Sequence, residues 1–231
     1  MFVIAPEYAI LTRWKRKKPS NRELLTAMKI HWFHFPLFLM CWGLQAEAAT
    51  QPLSPDTVVE RLHGTLIRVM ENADKLGYSG RFQLLKPVVD DSFDFLEISR
   101  IVLGRYWRRL DNNQQTEFVN IFRELSTATY ASRFDSYSGE SFRQVAKEPF
   151  KGERLMLRTE LVKQNGETVP FLYVLQPQQE KWLIINVVAD GVSDLSLKKA
   201  EYGSVMKREG FPHLLAKLRE KIEEYENPNK R

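Results

Sequence analysis

The chain has 231 residues, 43% hydrophobic and 27% charged, values ordinary for a soluble globular protein of one medium domain or two small ones. Its formal charge of +5 belongs to the N-terminus: seven of the 34 Lys and Arg and three of the 29 Asp and Glu lie in the first 48 positions, leaving 27 and 26, a net of +1. A body so nearly neutral lacks the clustered phosphate neutralisation that non-specific nucleic-acid binding needs, so no nucleic-acid partner is expected.

Residues 28–49 read as a secretory signal. Lys29 supplies positive charge below a basic cluster, Trp32 to Leu44 is an apolar run, and Ala46-Glu47-Ala48 is a cleavage signal. The run is short for a membrane span, which needs about 20 apolar residues. The expectation is a periplasmic protein, exported through a cleavable signal peptide and cut after Ala48; an uncleaved N-terminal anchor is the alternative. Residues 1–48 are then an N-terminal extension plus signal peptide, with Met28 as well as Met1 a candidate start, and residues 49–231 a single domain. The one cysteine, Cys41, lies in the leader after a residue too large for a lipoprotein signal, so the mature domain relies on its core and not on disulfides.

Ser54-Pro55 opens the first helix, with Val58, Leu62, Leu66 and Val69 as its buried stripe and Gly77 as its end. A second element starts at Gly80-Arg81-Phe82 and is expected to break at Pro87, followed by a polar junction at Asp90-Asp91-Ser92. From Phe93 to Phe134 the chain presents two consecutive helices. Phe95, Ile98, Val102 and Tyr106, with Leu103, Trp107 and Leu110, make an apolar stripe wider than a surface helix needs. Asp111 with Gln114 forms a capping box that starts a new helix, in which Phe118, Phe122, Leu125 and Thr129 share one face. It runs to about Phe134 or Tyr137, and Ser138-Gly139 closes it.

After Gly139 the apolar period changes from helical to two. Leu155, Leu157, Thr159 and Leu161 alternate with Met156, Arg158 and Glu160, a half-exposed strand. Asn165-Gly166 is a hairpin signal leading to Phe171, Tyr173 and Leu175, with the next turn at Gln176 to Glu180. Trp182 to Val188 is a continuous hydrophobic run but for Asn186, as in a strand covered on both faces, and Phe142 to Phe150 is a candidate fourth strand. Gly191-Val192-Ser193 returns the chain to helix, carrying Tyr202, Val205 and Met206. Gly210 and Pro212 separate this helix from a last amphipathic one with Leu214, Leu215, Leu218 and Ile222, and Glu223 onward reads as a solvated tail. The fold class is α+β: an antiparallel curved sheet of about four strands packed against several helices.

Catalytic chemistry is sparse. The mature chain holds only His63 and His213, and His63, beside Gly64, reads as a partly exposed helix histidine. No G-x-S-x-G, P-loop, G-x-G-x-x-G or zinc-ligand spacing occurs, so no catalytic residue, cofactor or metal is expected. Asp90, Asp91 and Asp94 read as charges at a helix entry, and Arg105, Arg108 and Arg109 as a solvated face. Large apolar rings are abundant, and sequence pattern alone does not separate a filled core from a hollow one.

Phe93-Asp94-Phe95, Ile101-Val102-Leu103-Gly104-x-x-Trp107, Leu110-Asp111-x-x-Gln114, Phe118-x-x-x-Phe122, Thr129-Tyr130, Trp182 and Gly191-Val192-Ser193 together resemble the MlaC (toluene-tolerance) family of periplasmic lipid-binding proteins, over roughly Pro55 to Glu224. The resemblance implies a hollow fold: a soluble carrier of phospholipid, or of a related lipid such as a hopanoid, between outer and inner membranes. Its implied partners are an inner-membrane ABC transporter with an MCE-type subunit and an outer-membrane lipoprotein complex. Val102, Leu103, Tyr106, Trp107, Phe118, Phe122, Tyr130 and Phe134 are the helical candidates for an apolar pocket. Leu157, Phe171, Tyr173, Trp182, Ile184 and Val205 are the candidates from the strands and the helix after them. Gly191 and Gly210 are candidate hinges for its mouth. Lys198, Lys199 and Glu201 stand where the family has an arginine, so a headgroup contact there is not carried over. Two other readings stay open: a small α+β enzyme using Asp94 or Asp190 on an apolar substrate, and a structural envelope protein with a filled core.

Overall fold

The computed structural model describes residues 54–227; the leader, its cleavage site and the two start codons lie outside the described residues. Helix α1 (Pro55–Glu71) begins as its sequence dictates: the Ser54 hydroxyl accepts the Thr57 amide at 3.2 Å, and Val58, Leu62, Leu66 and Val69 are buried. It stops at Glu71, before Gly77. Gly77, at φ 60° and ψ −174°, instead interrupts α2 (Ala73–Ser92), a backbone turn open to glycine. Pro87 does not break α2. Pro87 and Gln83, whose carbonyl loses its partner, are both exposed, so water can satisfy the missing bond. Asp90, Asp91 and Ser92 are the last turn of α2 and not a junction.

Helix α3 (Phe95–Leu103) ends at Gly104, at φ 52°, and a 3₁₀ helix, Gly104–Arg109, follows. The wide stripe therefore spans two helical segments; in the second, Trp107 is buried and Tyr106 half-buried. Helix α4 (Asn112–Arg133) carries the complete capping box: Asp111 Oδ1 accepts the Gln114 amide at 2.9 Å and Gln114 Oε1 accepts the Asp111 amide at 3.0 Å.

Strands β1 (Ser141–Pro149), β2 (Leu155–Val162), β3 (Thr168–Gln178), β4 (Lys181–Ala189) and β5 (Val192–Ser193) form an antiparallel meander in that order. The two-residue β5 was not foreseen; it closes on β4 across Asp190 and Gly191, both at positive φ, the backbone of a type I′ turn. β3 also runs past Leu175 to Gln178, because Gln176, Pro177 and Gln178 pair with Leu183, Trp182 and Lys181. Register places Leu157 opposite Tyr173 and Tyr173 opposite Val187, so these side chains share one face of the sheet. α1 lies against that face, where His63 meets Phe142 and Tyr173.

Helices α5 (Asp194–Arg208) and α6 (Phe211–Glu226) complete the chain, with Gly210 at φ 83° between them. α6 continues where a solvated tail was expected, because Ile222 and Tyr225 still pack against the core. The order of helices, meander and helices is the expected α+β fold, with one strand more than foreseen.

Candidate functional site

The pocket candidates fall into two groups with different surroundings. In the first, Phe118 and Phe122 stack at 5.8 Å, and both meet Tyr202 edge-on at 6.1 Å. Phe95 adds an edge-on contact to Phe122 at 6.0 Å. Phe118 has no accessible surface and Tyr202 only 2%, so these rings are fully occupied by one another. Val102, Leu103, Leu157, Ile184 and Val205 are buried in the core cluster that takes in these rings and also Phe134 and Tyr173, with Leu157 paired to Tyr173.

The second group is a seam between the end of α4 and the face of the sheet. Phe93 lies 6.1 Å from Tyr130, and Tyr130 stacks on Phe134 at 5.8 Å. From the sheet side, Phe142 meets Phe171 at 6.0 Å and Phe171 stacks on Tyr173 at 6.3 Å. The Tyr130 phenol acts electrostatically on that of Tyr173. Burial raises the pKa of Tyr173, with neighbouring Tyr130 adding to the rise; burial, then the Asp194 carboxylate, raises that of Tyr130. Yet Phe93, Tyr130, Phe142 and Phe171 all retain part of their surface. Tyr130 thus keeps part of its surface, whereas Tyr173 is 1% exposed.

The remaining candidates lie elsewhere. Trp182 pairs with Pro177 and is half-buried against the core. Trp107 is buried at the base of a groove of about 350 Å3 beside Leu96 and Val119. Tyr106 joins neither group: its ring is flanked by the guanidiniums of Arg105, at 5.1 Å, and Arg109, at 5.7 Å. Gly191 is in the β4–β5 turn and Gly210 precedes α6, both at positive φ. These two glycines bracket α5.

His63 corrects the expectation of a partly exposed residue. It is only 8% exposed, stacks on Phe142 at 3.7 Å and shares a 2.9 Å hydrogen bond with the Tyr173 hydroxyl. Burial lowers its pKa from 6.5 to about 3, so the ring is neutral. The signal was its spacing, four residues after Val59 and three before Leu66, on the apolar stripe.

The carboxylates are committed to structure. Asp94 caps α3, accepting the Glu97 amide at 2.9 Å on Oδ1, while Oδ2 accepts Gln176 at 3.0 Å and Gln178 at 3.3 Å. Asp90 and Asp91 are not at a helix entry: Asp90 pairs with Lys86 at 2.8 Å and Arg123 at 3.6 Å, and Asp91 with Arg61 at 3.0 Å. Asp190 is exposed in its turn. Lys198, 3.5 Å from Asp194, lies over the Phe122 ring at 5.9 Å, a placement the sequence did not signal. Among the described residues no cluster of His, Cys, Asp or Glu fits a metal ion, and no helix is long and apolar enough to cross a membrane.

Two comparisons bear on this arrangement. A family model described as MlaC protein matches residues 60–220. The chain also superimposes on a solved structure of the phospholipid-binding protein from Ralstonia solanacearum in complex with a phospholipid. The TM-score is 0.65 at 20% sequence identity, covering 76% of this chain and 99% of that one.

Proposed function

The chain belongs to the MlaC protein family, and from that premise we propose that it is a lipid carrier whose cargo is a phospholipid or a close relative. The observation that carries the reading is the aromatic seam of Phe93, Tyr130, Phe142 and Phe171, partly accessible within a fold shared with a protein solved around a phospholipid. The acyl chains enter between the end of α4 and the sheet, against Tyr130, Phe134, Phe171 and Tyr173. Phe118, Phe122 and their neighbours form the solid wall behind them.

The energetics favour an enclosing carrier. Each exposed methylene costs about 0.8 kcal/mol, so two long chains resist crossing water by roughly 20 kcal/mol or more. Burying them removes most of that barrier with no proton transfer, which suits a site whose carboxylates are engaged elsewhere. The protein works in the periplasm, taking lipid between a transporter with an MCE-type subunit and a lipoprotein complex of the outer membrane. For loading, α5 moves about Gly191 and Gly210, the positive-φ joints at its two ends.

The experiment is transfer. Donor vesicles containing fluorescent phosphatidylethanolamine are incubated with the protein, which is then separated and offered acceptor vesicles. Fluorescence that co-migrates with protein and passes to the acceptor supports the reading. Fluorescence that never leaves the donor vesicles, or that binds and is chemically altered, contradicts it.

A further inference from the structure

Away from the seam, α4 presents Asn112, Thr116 and Asn120 at steps of four, and Gln115 and Val119 lie beside them. With Leu96 and Trp107 these side chains line the groove of about 350 Å3. Its base is apolar, and Leu96 on its rim is 42% exposed, a large aliphatic side chain left to solvent. The side-chain amides of Asn112 and Asn120 make no hydrogen bond among the described residues.

The adjoining 3₁₀ helix exposes Arg105, Arg108 and Arg109 within one turn and a half. None of the three has an ion-pair partner among the described residues. Tyr106 props two of them apart, between Arg105 and Arg109, and its hydroxyl accepts from Arg105 at 3.1 Å. The nearest acid in the chain, Asp111, is occupied in capping α4. An apolar slot with unused amides thus borders three unneutralised guanidiniums.

We propose that this groove and arginine cluster dock a short acidic segment of a partner protein. An apolar side chain of that segment rests over Trp107 between Leu96 and Val119, its backbone meets Asn112 and Asn120, and its carboxylates meet Arg105, Arg108 and Arg109. Guanidiniums favour carboxylates through paired, charge-assisted hydrogen bonds. A bilayer surface fits less well: it is flat on this scale, reaching the arginines but not the base of a concave slot. The inference rests on the carrier reading, since a carrier must be met by proteins at each end of its path.

The test is a photo-cross-linker, Asn120→p-benzoylphenylalanine, in the full chain within the cells that make it, followed by mass spectrometry of the adduct. The expected result is a protein adduct at a segment rich in Asp and Glu. Its yield falls by about tenfold in the R105Q/R108Q/R109Q variant, and falls also with added salt. R108Q alone removes no contact seen in the described residues, and it too should lower the yield. The proposal is overturned by an adduct segment without carboxylates, by yields unchanged in both variants, or by arginine-dependent binding to phosphatidylglycerol vesicles with no protein adduct. Lipid content measured on the same preparations separates the two readings. Absent lipid in the unmodified protein tells against the carrier, whereas a lost cross-link with lipid retained reports on the groove alone.

Discussion

His63 Nε2 and the Tyr173 hydroxyl lie 2.9 Å apart, joining α1 to the middle of the sheet across 110 positions of sequence. The ring is neutral and enclosed, with Phe142 stacked on it. Its pKa is about 3 in the folded chain against an ordinary 6.5, so the unfolded chain takes the proton first. The stability this neutral ring permits is complete above pH 6.5 and declines as pH falls toward 3. The decline is at most about 1.4 kcal/mol per pH unit. Urea midpoints measured from pH 7 to pH 4 should fall in the natural chain and fall less in His63→Leu. Identical slopes in both would remove His63 as the cause.

The two aromatic groups should respond oppositely to a buried charge. Phe118→Asp places a carboxylate at a fully buried position among buried rings and should abolish folding, because an unpaired charge there is very costly. Tyr130→Asp, at a partly accessible position, should leave a folded protein that no longer retains lipid. Circular dichroism with lipid extraction reads both outcomes. Folded Tyr130→Asp protein with undiminished lipid would move the cargo away from the seam.

Asp94→Ala removes the cap of α3 and the acceptor of Gln176 and Gln178 together. The expected loss is about 1–3 kcal/mol by urea denaturation. Lipid content of the folded fraction should be unchanged, since the carboxylate serves packing. A stable variant with altered cargo would reopen Asp94 as a site residue.

The mobility of α5 is testable where Ser193 Oγ and Asn186 Oδ1 lie 3.1 Å apart, on either side of Gly191. Cysteines at both positions, oxidised, tie the start of α5 to β4. Transfer between vesicles should stop on oxidation, bound lipid should stay, and reduction should restore transfer. Equal rates in the two forms would place the opening elsewhere, on the Phe93 to Phe134 side.

Much of the fold was legible because its signals are local. Asp111 and Gln114 specify a cap through their own side chains, and Asn165-Gly166 specifies a turn through backbone angles, with Gly166 at φ 84°. Pro87 misled because the rule for proline concerns a missing hydrogen bond, and exposure of that turn lets water supply it. β5 is two residues long, too short for any alternation to register. The site was legible only as a set of rings. Phe118 and Tyr130 lie on the same helix, yet one is sealed and the other partly accessible. Phe118 is closed in by Phe122 and by Tyr202, a residue far away in sequence, whereas Tyr130 meets Phe93 and Phe134.

Native mass spectrometry of the protein purified from its own cells tests the central claim most directly. The account predicts a folded species heavier than the mature chain by the mass of one phospholipid, releasing that lipid on denaturation, and an unladen Tyr130→Asp protein. A natural chain that flies at its bare mass under the gentlest conditions, with no glycerophospholipid in its solvent extract, would contradict it.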